Sequence, residues 1–289
     1  MNYLNLGCGY RFHQDWTNIN FVSTGEGVIP HNLIEGIPFA DETFDVVYHS
    51  HVLEHFSRKE GESFLKECYR VLRPQGVLRV AVPALEQIAR IYLTALEKAS
   101  SGAPEWAFNY EWISLEMYDQ TVRNKPGGEM ATYLYSKNLS NQQFVLERLG
   151  IEAKNLIEAA SKENQEINTV KQEGEIEKLL KNVYRFFRYP QYRKELFLKG
   201  ILDKEYNLLQ IGRFRQSGEV HQWMYDRYSL GMLLKKCGME NIVQRTARES
   251  YIADWHSFNL DTESDGTVYK PDSLFMEAIK PSVSKSAVN

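Results

Sequence analysis

The stretch Tyr3–Gly9, YLNLGCG, most restricts what this chain can fold into. Leu4 and Leu6 alternate with polar neighbours, and two glycines around Cys8 follow at once. That pattern is a short buried strand entering a tight turn. A glycine turn behind the first strand of a parallel sheet marks a place for ligands. They bind beyond the carboxyl ends of the strands, where strand order switches, and glycine lets backbone approach them without a Cβ in the way.

The residues that follow support a parallel sheet. WTNINFV (Trp16 to Val22) and GVIPHNL (Gly27 to Leu33) are strand candidates, and FDVVYHS (Phe44 to Ser50) is β-branched and aromatic with a polar end. Arg58 to Leu72 puts Phe64, Leu65, Cys68, Val71 and Leu72 on one helical stripe. Pro74-Gln75-Gly76 reads as a turn and Val77 to Pro83 as another strand. Strands alternating with helices predict an α/β fold with right-handed crossovers. From 95 to 217 the pattern is mostly helical, too long for a loop, and predicts a helical insertion. The α/β pattern resumes with a helix over Arg227 to Met239, ended by Gly238, and strands over Glu240 to Ala247 and Ser273 to Lys280. The expected organisation is a core of 1–94 and 218–281, an insertion of 95–217, and a disordered tail over 282–289.

A net charge of −4 gives no general attraction to nucleic acid or an anionic membrane. No apolar run approaches the roughly 20 residues of a membrane span. The first residues, MNYLNLGCGY, have no features of a secretory leader. Cys8, Cys68 and Cys237 are odd in number and far apart, which fits reduced thiols in a cytoplasmic protein.

LNLGCG, then IPFADETFDVVYHSHVLEHF, then ECYRVLRPQGVLRVAVP resemble, in order and spacing, class I S-adenosylmethionine-dependent methyltransferases of the type 11-like group. GEVHQWMYDRYSLGMLLKKCGM and PDSLFMEAIKP extend the likeness, which covers residues 3 to 94 and 218 to 281. The resemblance implies a Rossmann-like class I methyltransferase sheet carrying a helical insertion, with S-adenosylmethionine as cofactor. It implies that Gly7, Cys8 and Gly9 form the loop against the methionine part. Asn20 falls on the ribose, Asn32 and Leu33 lie beside the adenine, and His49, Ser50 and His51 line the pocket near the sulfonium. The family commonly has acidic residues where this chain has Asn5, Asn20 and Asn32, and an amide accepts fewer and weaker bonds than a carboxylate. Only Tyr10 to Trp16 follow Gly9 before the second strand, so the usual helix there is nearly absent.

HVLEH, residues 51–55, also fits H-x-x-E-H, a zinc-hydrolase pattern. That pattern needs a long helix around the histidines and a third ligand farther on. Here it follows a strand, and Val52, Leu53 and Phe56 suit a short packed turn, so no metal is expected. Glu54 and His55 read as a structural polar pair, and Arg11 as a surface arginine.

Methyl transfer to a hydroxyl needs a base near neutral pKa, and His51 and His221 are the candidates. In the insertion, YDQTVRNKPGGEM (Tyr118 to Met130) resembles an element that some of these enzymes carry. Within it RNKPGGEM (Arg123 to Met130), with its Gly127-Gly128 turn, reads as a lid over the acceptor. Leu179 to Gly200 mixes Arg and Lys with Tyr and Phe, and reads as amphipathic helix with aromatics packed inward. The function expected is O-methylation of a sugar, glycan or other small-molecule hydroxyl. Behind it stand a non-catalytic cofactor-binding or scaffold protein, and then a zinc hydrolase. The acceptor and oligomeric state are not readable.

Overall fold

The structure, a computed structural model, describes residues 1–136, 139–158 and 175–282. The tail expectation falls almost wholly on 283–289, outside the described residues. Seven strands form one sheet: β1 (Tyr3–Leu6), β2 (Thr17–Asn20), β3 (Val28–Pro30), β4 (Phe44–Ser50), β5 (Leu72–Pro83), β6 (Glu240–Arg245) and β7 (Ser273–Ile279). Their order is β3-β2-β1-β4-β5-β7-β6. β1 to β5 pair in parallel, and β7 runs antiparallel to both β5 and β6. Strand order switches between β1 and β4, where a doubly wound sheet opens its ligand crevice. The glycine turn leaves β1 at that point.

On one face Leu4, Leu6, Ile19, Val47, Leu78 and Val80 form the main core. They pack under Phe64, Leu65 and Cys68 of helix α1 (Arg58–Val71) and under Leu230 and Leu234 of the helix Arg227–Lys236. The α1 start is fixed by a capping box between Ser57 and Glu60. The turn expected at Pro74–Gly76 is instead a bulge inside β5. Gln75 has φ +66°, and the β4–β5 register jumps from Phe44↔Leu72 to Val46↔Val77.

The other face has a different cover. With no helix between β1 and β2, the connection 246–272 folds back over the sheet. Its Ile252, Trp255 and Leu260 pack on Trp16, Val46 and Tyr48. A buried polar knot holds it there. Arg79 of β5 is fully buried and donates to Asp261 Oδ2 and Glu277 Oε1, each at 2.8 Å, and to the carbonyls of Thr246 and Glu249. Arg11 is no surface arginine. Its guanidinium donates to the carbonyls of Asn259, Leu260 and Thr262 and to Glu263, stacked 4.0 Å over Tyr269.

Beyond β5 run α2 (Leu85–Ser100), α3 (Pro104–Val122), α4 (Gly128–Leu134) and α5 (Gln142–Leu149). Gly127 and Gly128 both have positive φ, and a Cβ on Gly128 would meet the Asp119 carboxylate at 2.2 Å. That closeness lets Asp119 accept from the Glu129 backbone N–H at 2.7 Å and from Arg123. α3 and α5 are joined by buried Glu116 and Arg148. α6 (Glu175–Arg188) and α7 (Pro190–Leu202) carry the basic, aromatic stretch. There the inward packing expected of the aromatics is not found: Tyr184, Phe187 and Phe197 are 61%, 76% and 67% exposed. Among the described residues these helices contact mainly one another and α8 (Glu205–Arg215), so no core is close enough to receive those rings. The helix Arg227–Lys236 is α9.

Candidate active site

A cavity of about 270 Å³ lies at the switch point. Its walls include Gly7, Cys8 and Gly9 after β1, Tyr48 and Ser50 of β4, and His51. The connection 246–272 adds Leu260, Tyr269 and Lys270. Gly7 and Gly9 have φ +64° and +53°, and a Cβ on Gly9 would meet no protein atom within 4 Å. The backbone therefore opens directly onto the cavity at Gly9. Cys8 is an inert wall residue, since burial pushes its thiol up to about 11.

A second cavity, of about 350 Å³, adjoins the first and shares His51, Glu152 and Lys270 with it. Glu54, His55, His221 and Asp272 line its floor, and Gln120, Arg123, Gly127 and Met130 of the helical segment its far wall. Lys270 Nζ sits 3.0 Å from Glu152 Oε2, tying the two sides together.

His51 stands at the junction. It follows β4 with φ +54°, an uncommon conformation outside glycine, and so turns off the strand toward both cavities. Its Nδ1 lies 3.2 Å from Glu54 Oε1 and its Nε2 2.8 Å from Ser273 Oγ. Glu54 is fully buried; burial raises its carboxyl, but His51 and the other imidazoles outweigh that and hold it below the usual carboxylate range. His221 hangs on a backbone bond from its N–H to the Gln120 carbonyl, and burial pushes its imidazole down to about 3 against the pull of Glu54. Its ring stands edge-on to His55, centroids 4.8 Å apart. An imidazole held that low is a weak base, which weighs against the proton-acceptor role expected of His221 from sequence.

The residues singled out from sequence thus divide. Gly7, Cys8, Gly9, Ser50 and His51 meet at the first cavity, and His221 at the second. His49 lines neither cavity. Strand alternation turns it to the opposite face, fully buried with its ring 5.0 Å from Phe64. Asn20 is spent on the turn itself, accepting from Gly9 N at 3.4 Å and donating to the Val22 carbonyl. Asn32 caps the short 3-10 turn Leu33–Glu35, and neither Asn32 nor Leu33 lines either cavity. Asn5 has a structural reason to be an amide. Its Nδ2 donates to Asn18 Oδ1 and to the Arg11 carbonyl, and a carboxylate there would face two acceptors. Tyr48, Glu152, Tyr269 and Lys270 were not singled out from sequence, because only folding brings them to the glycine turn; Tyr10, next to Gly9 in the chain, was passed over as an ordinary loop residue.

His49 supports a test of its own. Neither of its ring nitrogens has a partner among the described residues. Burial lowers its folded pKa to about 4, against the pull of Glu54. The unfolded chain, near 6.5, takes up a proton that the native state refuses. Stability is therefore full above about pH 6.5 and falls by about 3 kcal/mol as pH drops toward 4. His49→Leu should flatten that limb of the stability–pH curve, measured by urea unfolding between pH 4 and 7.5. An unchanged slope would show that His49 is not its source.

Parallel β1 to β5, antiparallel β7 and a glycine turn at the switch point define the class I methyltransferase fold. Residues 20–80 match the family model described as methyltransferase domain. That segment, about a fifth of the chain, is similar to the methyltransferase domain and lies within the sheet that has this fold. No curated protein matches the sequence. Solved structures give distant likenesses. The [4+2]-cyclase SpnF is 21% identical over 28% of this chain and 38% of its own, with a TM-score of 0.24. The YcgJ protein of Bacillus subtilis is 16% identical over 32% of this chain and 52% of its own, TM-score 0.24. An S-adenosylmethionine-dependent methyltransferase of Archaeoglobus fulgidus is 10% identical over 96% of this chain and 86% of its own, TM-score 0.37. The matched part thus spans about two fifths and one half of the first two. No helix among the described residues is long and apolar enough to cross a membrane.

Proposed function

We propose that the protein methylates a hydroxyl of a sugar, glycan or other small polar molecule, using S-adenosylmethionine held over the glycine turn. One observation carries this reading: the switch-point cavity and the polar cavity beside it meet at His51. The cofactor fits the first on the evidence of Gly9, whose missing Cβ leaves open space on the cavity side. The Ser50 hydroxyl and the Lys270 ammonium are the polar groups that would hold it. When bound, it supplies a methyl group already activated on a sulfonium. The chain's part is to align the acceptor, exclude water and take up its proton.

His51 is the residue for that proton, held by Glu54 on one nitrogen and Ser273 on the other. The second cavity receives the acceptor. Its wall of Gln120, Arg123, Glu152, Glu219 and Asp272 supplies donors and acceptors for a molecule rich in hydroxyls, and α3, α4 and α5 roof it. A reducing, cytoplasmic setting suits the three buried free cysteines.

The test joins binding to turnover. Calorimetric titration with S-adenosylhomocysteine should give micromolar binding, and methyl transfer from labelled S-adenosylmethionine should appear with a panel of sugar acceptors. Binding with no transfer to any hydroxyl, amine or thiol acceptor would favour a non-catalytic binding protein. No binding would overturn the site.

A further inference from the structure

Glu54 and His55 meet His221 from a distant part of the chain, yet beyond Glu54's hold on His51 the methyl-transfer reading calls on none of them. Glu54 and His55 lie on the 3-10 turn Leu53–His55, and His221 lies where the chain re-enters the core. One donor atom from each falls within 4.8 Å of the others. Glu54 is 0% and His221 5% exposed. Glu54 Oε2, His55 Nδ1 and His221 Nδ1 lack a hydrogen-bond partner among the described residues, and Glu54 Oε1 meets only the His51 imidazole, at 3.2 Å. Buried polar atoms are nearly always satisfied, so three orphans gathered in one place indicate a missing partner. No lysine or arginine among the described residues forms an ion pair with Glu54. A buried carboxylate needs a cation more than it needs a water.

We infer that Glu54, His55 and His221 bind one divalent cation of the zinc class in the wall of the acceptor cavity. Two imidazoles and one carboxylate favour zinc-like ions over magnesium or calcium, which take oxygen ligands. Three protein ligands leave a coordination position open, and all three residues line the acceptor cavity. His51 approaches Glu54 from beside the trio and orients it. The cation's use rests on the methyl-transfer reading: it holds the acceptor's hydroxyl oxygen and eases loss of its proton to His51. The new O–CH3 bond forms as the S–CH3 bond breaks, and the sulfur keeps the electron pair.

The site differs from the helical H-x-x-E-H pattern of zinc hydrolases. The turn Leu53–His55 is only three residues long. His51 and His55 therefore do not share a helical face, and His221 supplies the second imidazole.

Metal content tests the site without cofactor, acceptor or turnover. Purified protein, stripped with chelator and re-equilibrated with zinc sulfate, should retain one zinc per chain after gel filtration. His221→Ala and Glu54→Gln should each lower retained zinc at least tenfold. Cobalt(II) added to the stripped protein should give visible absorption that both variants lose. Calorimetry with S-adenosylhomocysteine on His221→Ala checks that the fold and first cavity survive, and it separates loss of metal from failure of the cofactor reading. Wild-type protein retaining no zinc, or variants retaining as much as wild type, would overturn the inference.

Discussion

Arg79→Met is expected to remove about 3–5 kcal/mol of folding stability, a large share of what a domain of this kind possesses. The cause is what the substitution leaves behind. Arg79 is the cation between Asp261 and Glu277, both almost wholly buried. Methionine fills much of the volume but carries no charge, so two carboxylates stay buried without their shared partner. The carbonyls of Thr246 and Glu249 lose donors too, and the stacking 4.5 Å over Trp255 is lost. Some relief remains for Glu277, which still accepts from the Tyr251 backbone and lies 3.4 Å from Arg245 Nε. Among the described residues, the Asp261 carboxylate then retains Tyr48 OH alone, at 2.6 Å. Arg79→Met combined with Asp261→Asn should therefore recover part of the loss. Guanidinium unfolding followed by circular dichroism measures both, and a single-mutant loss under about 1 kcal/mol would contradict the account. Tyr48 also lines the first cavity, so the same variant should weaken S-adenosylhomocysteine binding.

What the sequence reveals and hides follows from how far apart the partners lie. β4 is readable end to end because Phe44–Ser50 carries its pattern locally. The α1 stripe is readable for the same reason, and so is the glycine turn of Gly7 and Gly9 at the end of β1. His49 was also within reach, since counting by two from the core residue Val47 puts it on the core face. The connection 246–272 was not. Its Asp261 is a loop aspartate until Arg79, 182 residues earlier, is brought beneath it. HVLEH alone has no third ligand, and nothing near His221 marks it as one. The aromatics of α6 and α7 have amphipathic spacing, which gives their direction but not whether a core waits to receive them. The acidic residues missing at 5 and 20 have local causes, the amide donors of Asn5 to Asn18 Oδ1 and of Asn20 to the Val22 carbonyl, which only the folded register of β1 and β2 exposes.

Gly7→Val should lower S-adenosylhomocysteine affinity by more than about 100-fold, a loss of roughly 3 kcal/mol in binding. The side chain does not strike a ligand first. At φ +64° a Cβ on residue 7 would come 2.4 Å from Val52 Cγ2, on the core side of the turn. Val52 is buried, so it cannot move aside cheaply, and a β-branched residue resists positive φ in any case. The turn must shift instead, and it carries Gly9 and the cavity floor with it. Val52 also precedes the turn bearing Glu54 and His55, so zinc retention should fall in the same variant. A companion change separates distortion from occlusion. Gly9→Ala meets no protein atom within 4 Å and should cost about 1 kcal/mol of stability through its φ of +53° alone. Its methyl nevertheless projects into the space assigned to the cofactor. Calorimetry on both variants, with thermal unfolding alongside, distinguishes the cases. If Gly9→Ala is nearly as stable as wild type and still loses at least tenfold in affinity, the ligand lies over Gly9. If it binds as wild type does, the open space at Gly9 is not where the cofactor sits, and the cavity must be filled from its Lys270 side.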